Sequence, residues 1–341
     1  MVSQLTREYS QIHEQNATQV FYTSPWIPPE WIKTHGLKPR GVWFTKDPWL
    51  NSLPLASGVC AFAEAMVRFA EAQADSAVIF TSTCDQQRRG FDALTAADRS
   101  RAFLFNIPVV WQTPAASQAY RCEVERLGRF LQDLGGHVPS LKRLGKEMTR
   151  YGQDRARLLD VAQSYSSRQF AESIARFHWD GSLQLPSPSA SALMNGVPLA
   201  IVGGPLSAAH WDLLDAIETM GGHVVLNATE TGERTLLPAF ASDHSADDPF
   251  NVLVRGYFEN IVDVFQRPNT RLYSWLKKHM TARNIRGIIL WHFTGCDLWR
   301  AEAQTLRETF GLPVLLLEAD EKQFCSPRDV GRIEAFVEML K

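Results

Sequence analysis

Residues 287–302 read GIILWHFTGCDLWRAE. The apolar stretch Gly287-Ile288-Ile289-Leu290-Trp291 has the make-up of a fully buried strand, and helical spacing over 298–310 places a helix just beyond Cys296. A strand passing through a short glycine-containing turn into a helix is the repeating unit of a parallel α/β sheet, in which ligands gather at the carboxyl ends of strands. The same unit recurs at Ala77-Val78-Ile79-Phe80, which leads to Cys84 in VIFTSTCDQQRR. Cys60, in SGVCAFAEAM, stands at the start of a third helical pattern over 57–73. Three thiols at equivalent junctions suggest one shared soft-metal site. Three thiolates are one short of a closed tetrahedral zinc site and suit an iron–sulfur cluster with one iron left open.

The alternation extends outward from these units. Pro28-Pro29-Glu30-Trp31 reads as a helix start, Gly36 as its stop, and Pro39 to Phe44 as a short strand. Phe103 to Phe105 and Ile107 to Trp111 form a further apolar run, followed by a helix over 117–134 that ends at Gly135-Gly136. Residues 140–180 lack strand signals and read as helices, and LPSPSASALMNG, 185–196, reads as a linker. Strands then return at 199–202, 223–226, 287–291 and 314–317. Helices are expected over 207–220, 250–265, 269–283, 298–310 and 327–340, with a long polar loop after Leu226. The expected architecture is α/β: two Rossmann-like (flavodoxin-like) parallel-sheet domains with an intervening helical block. The boundaries are 1–136 for the N-terminal segment and first domain, 137–196 for the helical segment and linker, and 197–341 for the second domain.

Bulk properties exclude several classes. A formal net charge of −2 gives no footprint for nucleic acid or an anionic membrane. No run approaches the roughly 20 apolar residues of a spanning helix, and the polar N-terminus lacks the apolar core of a signal peptide. Five scattered cysteines without an export signal argue against a disulfide framework, so a reducing cytoplasm is expected. There is no Walker loop and no dinucleotide fingerprint; Gly203-Gly204-Pro205 is only a tight turn after a strand.

Each candidate has an ordinary alternative. A free cysteine is commonly a small buried hydrophobe, and that reading is kept for Cys122, inside a helix, and Cys325, in a loop. Cys60, Cys84 and Cys296 differ in their small or polar neighbours, Ser57-Gly58, Ser82-Thr83 and Thr294-Gly295. Gly58 and Gly295 would let the backbone approach a bulky inorganic group. His292, four residues before Cys296, could donate a proton or hydrogen bond at the site, against the ordinary role of a satisfied structural histidine. The acidic group Asp243, Asp247 and Asp248 reads as a solvated loop.

The order of these pieces resembles the D-component family of 2-hydroxyacyl-CoA dehydratases, which includes the B- and C-type subunits of ATP-dependent benzoyl-CoA reductase. Tyr22-Thr23-Ser24-Pro25, Pro29-Glu30 and Gly36-Leu37 with Pro39 look like its opening motif. Cys60, Thr83-Cys84-Asp85 and Gly295-Cys296-Asp297 look like its cluster ligands. Val202-Gly203-Gly204-Pro205-Leu206 with Gly221-Gly222 resembles the start of its second domain, and Leu317 to Asp320 with Arg332 to Phe336 its C-terminal signature. The resemblance implies a 4Fe–4S cluster held by Cys60, Cys84 and Cys296, or in a related branch a double-cubane cluster that reduces small molecules. It also implies a homologous second subunit in a hetero- or homodimer, a separate ATP-hydrolysing iron–sulfur activator, and radical dehydration or reduction of an acyl-CoA. Ser24 and Glu30 match the N-terminal motif, with Ser24 placed to reach the substrate carbonyl or open iron, or else to cap the proline-led turn. The chain is somewhat short for the family, which keeps open a partner subunit that relays electrons without touching substrate.

Overall fold

A computed structural model describes residues 18–43, 59–73, 75–97, 100–187, 196–240, 248–319 and 327–341. Among the described residues, eight strands form two four-stranded sheets, both wholly parallel. The first contains β1 (Gln19–Tyr22), β2 (Lys38–Gly41), β3 (Ala77–Thr81) and β4 (Ala102–Phe105) in the order β2-β1-β3-β4. The second contains β5 (Val197–Gly203), β6 (Gly222–Thr229), β7 (Gly287–Phe293) and β8 (Val314–Ala319) in the order β6-β5-β7-β8. The two orders are the same permutation, so the halves share one topology, and in each the direction of winding reverses between the first and third strands. That reversal is where doubly wound sheets bind ligands. Every residue of β3 and β7 is buried, as expected of strands covered on both faces.

The helices among the described residues are α1 (Pro29–Thr34), α2 (Ala61–Ala72), α3 (Asp85–Ala97), α4 (Pro114–Asp133), α5 (Leu141–Val161), α6 (Ser167–Asp180), α7 (Asp212–Thr219), α8 (Pro249–Asn260), α9 (Thr270–Ala282), α10 (Asp297–Phe310) and α11 (Pro327–Leu340). Local chemistry sets several starts. Thr113 accepts from the Ala116 amide ahead of Pro114, and Ser166 forms a capping box with Gln169. Asp248 accepts from the Phe250 amide at 3.0 Å, so this acid caps a helix.

The halves share a core. One apolar cluster runs from Val20, Tyr22 and Ile79 through to Leu199, Ile201 and Trp291, and α6 packs against both β2 and β6. Buried polar chains cross the same boundary. Tyr22 Oη lies 3.2 Å from His178 Nδ1, whose Nε2 lies 3.0 Å from Thr235 Oγ1. Arg155 Nη1 lies 2.9 Å from Glu30 Oε1, and Arg155 also donates to Tyr257 Oη, which donates to Glu30 Oε2 at 2.6 Å.

Three details depart from the sequence reading. β1 is an additional strand, in the middle of the first sheet rather than in an irregular opening. The helix expected over 207–220 is a 3₁₀ turn at Ala208–His210 followed by α7. Of the apolar run after Ala102, only Ala102–Phe105 is a strand, and Val110 makes an isolated bridge to Arg267. β6 runs on to Thr229, and the polar residues beyond it are mostly buried. Ser57, Gly58, Asp243, Asp247, Asp320 and Cys325, with most of the expected linker, lie outside the described residues. No helix among the described residues is long and apolar enough to cross a membrane.

Candidate functional site

Cys60, Cys84 and Cys296 line one cavity of about 410 Å³ at the carboxyl ends of both sheets. That size falls within the range of small-molecule sites. The first half contributes the β3–α3 turn, Ser82 to Arg88, and the second contributes Gly204-Pro205 after β5, Glu230 after β6 and Gly295 to Trp299 after β7. The end of β3 in the first half therefore faces the reversal between β5 and β7 in the second across this space.

Each thiol sits at the start of a helix of twelve or more residues. Cys60 is the N-cap of α2, Cys296 is the N-cap of α10, and Cys84 immediately precedes α3. First-turn amides point at the sulfurs: those of Phe62 and Ala63 at Cys60, that of Gln87 at Cys84 (3.4 Å), and that of Trp299 at Cys296. The Cys60 amide donates to Gln86 Oε1 at 2.7 Å, tying the start of α2 to the start of α3. Three helix N-termini thus direct partial positive charge at one place, which favours an anionic occupant.

Without a cation the thiols resist ionisation. Burial pushes Cys84 up to about 12 and Cys296 up to about 11, and it raises Cys60. The first-turn amides oppose this, while the Glu230 charge adds to it at all three, and the thiols burden one another. Such thiols are poor nucleophiles at neutral pH, whereas bound metal ions reverse the balance by deprotonating them. Among the described residues, no three His, Cys, Asp or Glu side chains are drawn together tightly enough to hold a single metal ion. A cubane cluster asks for a wider spacing, because each thiolate caps a different iron. The donor set, three thiols under three helix starts, fits such a group.

Two glycines shape the cavity. A Cβ on Gly203 (φ +150°) would lie 1.8 Å from the Trp291 carbonyl oxygen, so only glycine lets β5 end this close to β7. Gly295 takes φ +80°, and a Cβ there would meet nothing within 4 Å; the residue is required by the left-handed turn rather than by crowding.

Glu230 was not singled out by its sequence. Its amide donates to the Gly203 and Gly204 carbonyls at 3.1 and 3.3 Å, which fixes it at the cavity edge, partly buried. Burial and the neighbouring Asp263 charge raise its carboxyl to about 8, against the opposing pull of Arg234. Asp263 itself accepts from Trp26 Nε1 at 3.1 Å and from the Phe265 amide at 2.9 Å, with Arg234 Nη2 3.9 Å away. The only cue in the sequence was position: a carboxylate just beyond a strand end.

The remaining candidates lie elsewhere. Ser24 is buried beneath the turn before α1, where its Oγ accepts from the Trp26 amide at 3.4 Å. Glu30 is 0% exposed and engaged with Arg155 and Tyr257. His292 is buried in β7 with Nδ1 3.0 Å from the Phe293 carbonyl and, among the described residues, no partner for Nε2. None of the three is on the cavity wall. Cys122 is exposed on α4, so it is not the small buried hydrophobe expected of it; it lies on the face of the helix turned from the core.

The family model described as 2-hydroxyglutaryl-CoA dehydratase, D-component, matches residues 26–340, nearly the whole chain. No curated protein matches it. A solved structure, that of the SBP FpvC from P. aeruginosa in complex with Ni²⁺, aligns over 95% of this chain and 97% of its own, at 9% identity and a TM-score of 0.24, too distant to bear on fold or ligand.

Proposed function

We propose, from the premise that this chain belongs to the 2-hydroxyglutaryl-CoA dehydratase D-component family, that it is the iron–sulfur subunit of a dehydratase- or reductase-type acyl-CoA enzyme. The observation that supports this most is the meeting of Cys60, Cys84 and Cys296 on one cavity wall, each beneath a helix start. These residues would hold a 4Fe–4S cluster by one thiolate each. Such a cluster, when bound, supplies single low-potential electrons for radical chemistry on an acyl thioester. The chain's own contribution is positional: the first-turn amides stabilise the thiolates, and Phe62, Phe293 and Trp299 screen them from water.

A double cubane joined through one sulfide leaves six irons to be capped, and the chain has five cysteines. One copy cannot hold it, so that variant would require two chains to face each other. A second reading has one observation in its favour. Ser24 and Glu30, matched by resemblance to the family's N-terminal motif, are buried away from the cavity. This suits a subunit that relays electrons to a homologous partner where the acyl-CoA binds.

The test is reconstitution under anaerobic conditions with a separate ATP-hydrolysing iron–sulfur activator and an acyl-CoA, with and without a homologous partner subunit. Turnover that needs activator and ATP supports the proposal, and a further need for the partner selects the relay reading. Sustained turnover with NADH alone would place the chain in another class.

A further inference from the structure

Three thiols cap three corners of a cubane, and the fourth iron needs another donor. The carboxylates on the cavity wall are Asp85, Glu230, Asp263 and Asp297. Asp263 is committed to Trp26, Phe265 and Arg234. Asp85 is exposed and lies 3.5 Å from Arg88, and Asp297 faces solvent at the start of α10. Glu230 differs in three ways. Among the described residues, no hydrogen-bond donor engages its carboxylate. It belongs to the cavity's second half, across from Cys60 and Cys84, and is held by its own amide on the Gly203 and Gly204 carbonyls. It lines the same cavity as Cys60, Cys84 and Cys296, and its charge, when ionised, bears on each of them. Iron accepts carboxylate oxygen readily alongside softer ligands.

Building on the cluster reading above, we propose that Glu230 is the fourth protein donor of this site, binding through a carboxylate oxygen the iron that Cys60, Cys84 and Cys296 leave uncapped. The carboxylate would occupy that iron in the substrate-free protein and exclude water from it. An incoming carbonyl or hydroxyl oxygen would have to displace it. Glu230 is then a metal ligand and a gate, and the Gly203 and Gly204 carbonyls that hold its amide are what aim it.

The experiment is anaerobic loading with iron and sulfide, followed by electron–nuclear double resonance of the reduced protein in ¹⁷O-enriched water and by iron analysis. Wild type should retain four irons per cluster and show no ¹⁷O coupling. Glu230→Gln should either show ¹⁷O coupling from water on the freed iron or fall to three irons, with unchanged circular dichroism. Glu230→Cys should keep four irons and remain free of coupling, and Glu308→Gln, on the exposed face of α10 outside the cavity, should match wild type. Equal ¹⁷O coupling in wild type and Glu230→Gln would overturn the assignment, as would loss of the whole cluster in both Glu230→Gln and Glu230→Cys with the fold intact. Failure of the wild type to bind iron would instead refute the cluster reading on which this rests.

Discussion

Replacing Glu30 by glutamine should destabilise the protein by about 3–5 kcal/mol, because it leaves a buried guanidinium without its counter-charge. Glu30 is 0% and Arg155 2% exposed, so water cannot replace the lost partner. The 2.9 Å contact to Glu30 Oε1 is a charge contact without hydrogen-bond alignment; the aligned bond to Glu30 comes from Tyr257 at 2.6 Å. The carboxylate's charge is therefore the part that matters most at Arg155. At roughly 2.1 cal/mol/K per residue, 341 residues unfolding as one unit gain about 0.7 kcal/mol/K, so the midpoint should fall by roughly 4–7 °C. Calorimetry and urea titration measure both quantities. A loss below about 1 kcal/mol would refute the reasoning. The paired change Glu30→Leu with Arg155→Met removes both charges and should recover most of the stability. If stability returns but turnover is lost, Glu30 serves the reaction as well as the core.

Other outcomes follow from the same contacts. Gly203→Ala would put a methyl 1.8 Å from the Trp291 oxygen; β5 and β7 must separate there, and the variant should lose soluble expression or iron binding, whereas Gly295→Asn should be tolerated. Burial lowers His210 to about 4 from its ordinary 6.5. The unfolded chain therefore takes up the proton first, and stability present above about pH 6.5 should decline as pH falls towards 4, by at most about 3 kcal/mol; urea midpoints at pH 7.5 and 5 test this, and a His210→Gln variant with the same slope would contradict it. Among the described residues the cavity wall carries the exposed Asp85 and Asp297, with Glu230 and Asp263 beside them, against the one cation Arg88, so an acyl-CoA with an uncharged acyl chain should bind more tightly than one with a distal carboxylate, as measured by competition; the reverse order would show that the acidic wall does not face the acyl chain.

The fold was legible where apolar β-branched runs end in polar turns. Ile288 to Trp291 and Val78 to Phe80 are buried throughout and could hardly be anything but central parallel strands. The helix-start settings of Cys60, Cys84 and Cys296 were legible in the same way, but that the carboxyl ends of two separate sheets share one cavity was not, because it depends on how the two halves pack. β1 was not, because four residues after a polar stretch carry too short a pattern. Glu230 was hidden by its neighbours. Asn227, Thr229, Thr231, Glu233 and Arg234 look like a solvated loop, yet they are buried by satisfying one another: Thr229 donates to Asn227 Oδ1 at 2.7 Å, and Arg283 pairs with Glu233 at 2.6 Å. Polarity along the chain cannot tell a wet loop from a satisfied network. Likewise, Glu30 reads as an exposed helix-start acid until Arg155, 125 positions later, is placed beside it.

The measurement that bears most directly on the central claim is iron and acid-labile sulfide content, with the electron paramagnetic resonance spectrum of the reduced protein, after anaerobic reconstitution of wild type and single cysteine variants. About four irons and four sulfides per chain are expected in wild type, Cys122→Ala and Cys325→Ala, with the content sharply reduced in Cys60→Ala, Cys84→Ala and Cys296→Ala. A wild type without stoichiometric iron, or a cluster that survives Cys84→Ala yet vanishes in Cys122→Ala, would contradict it.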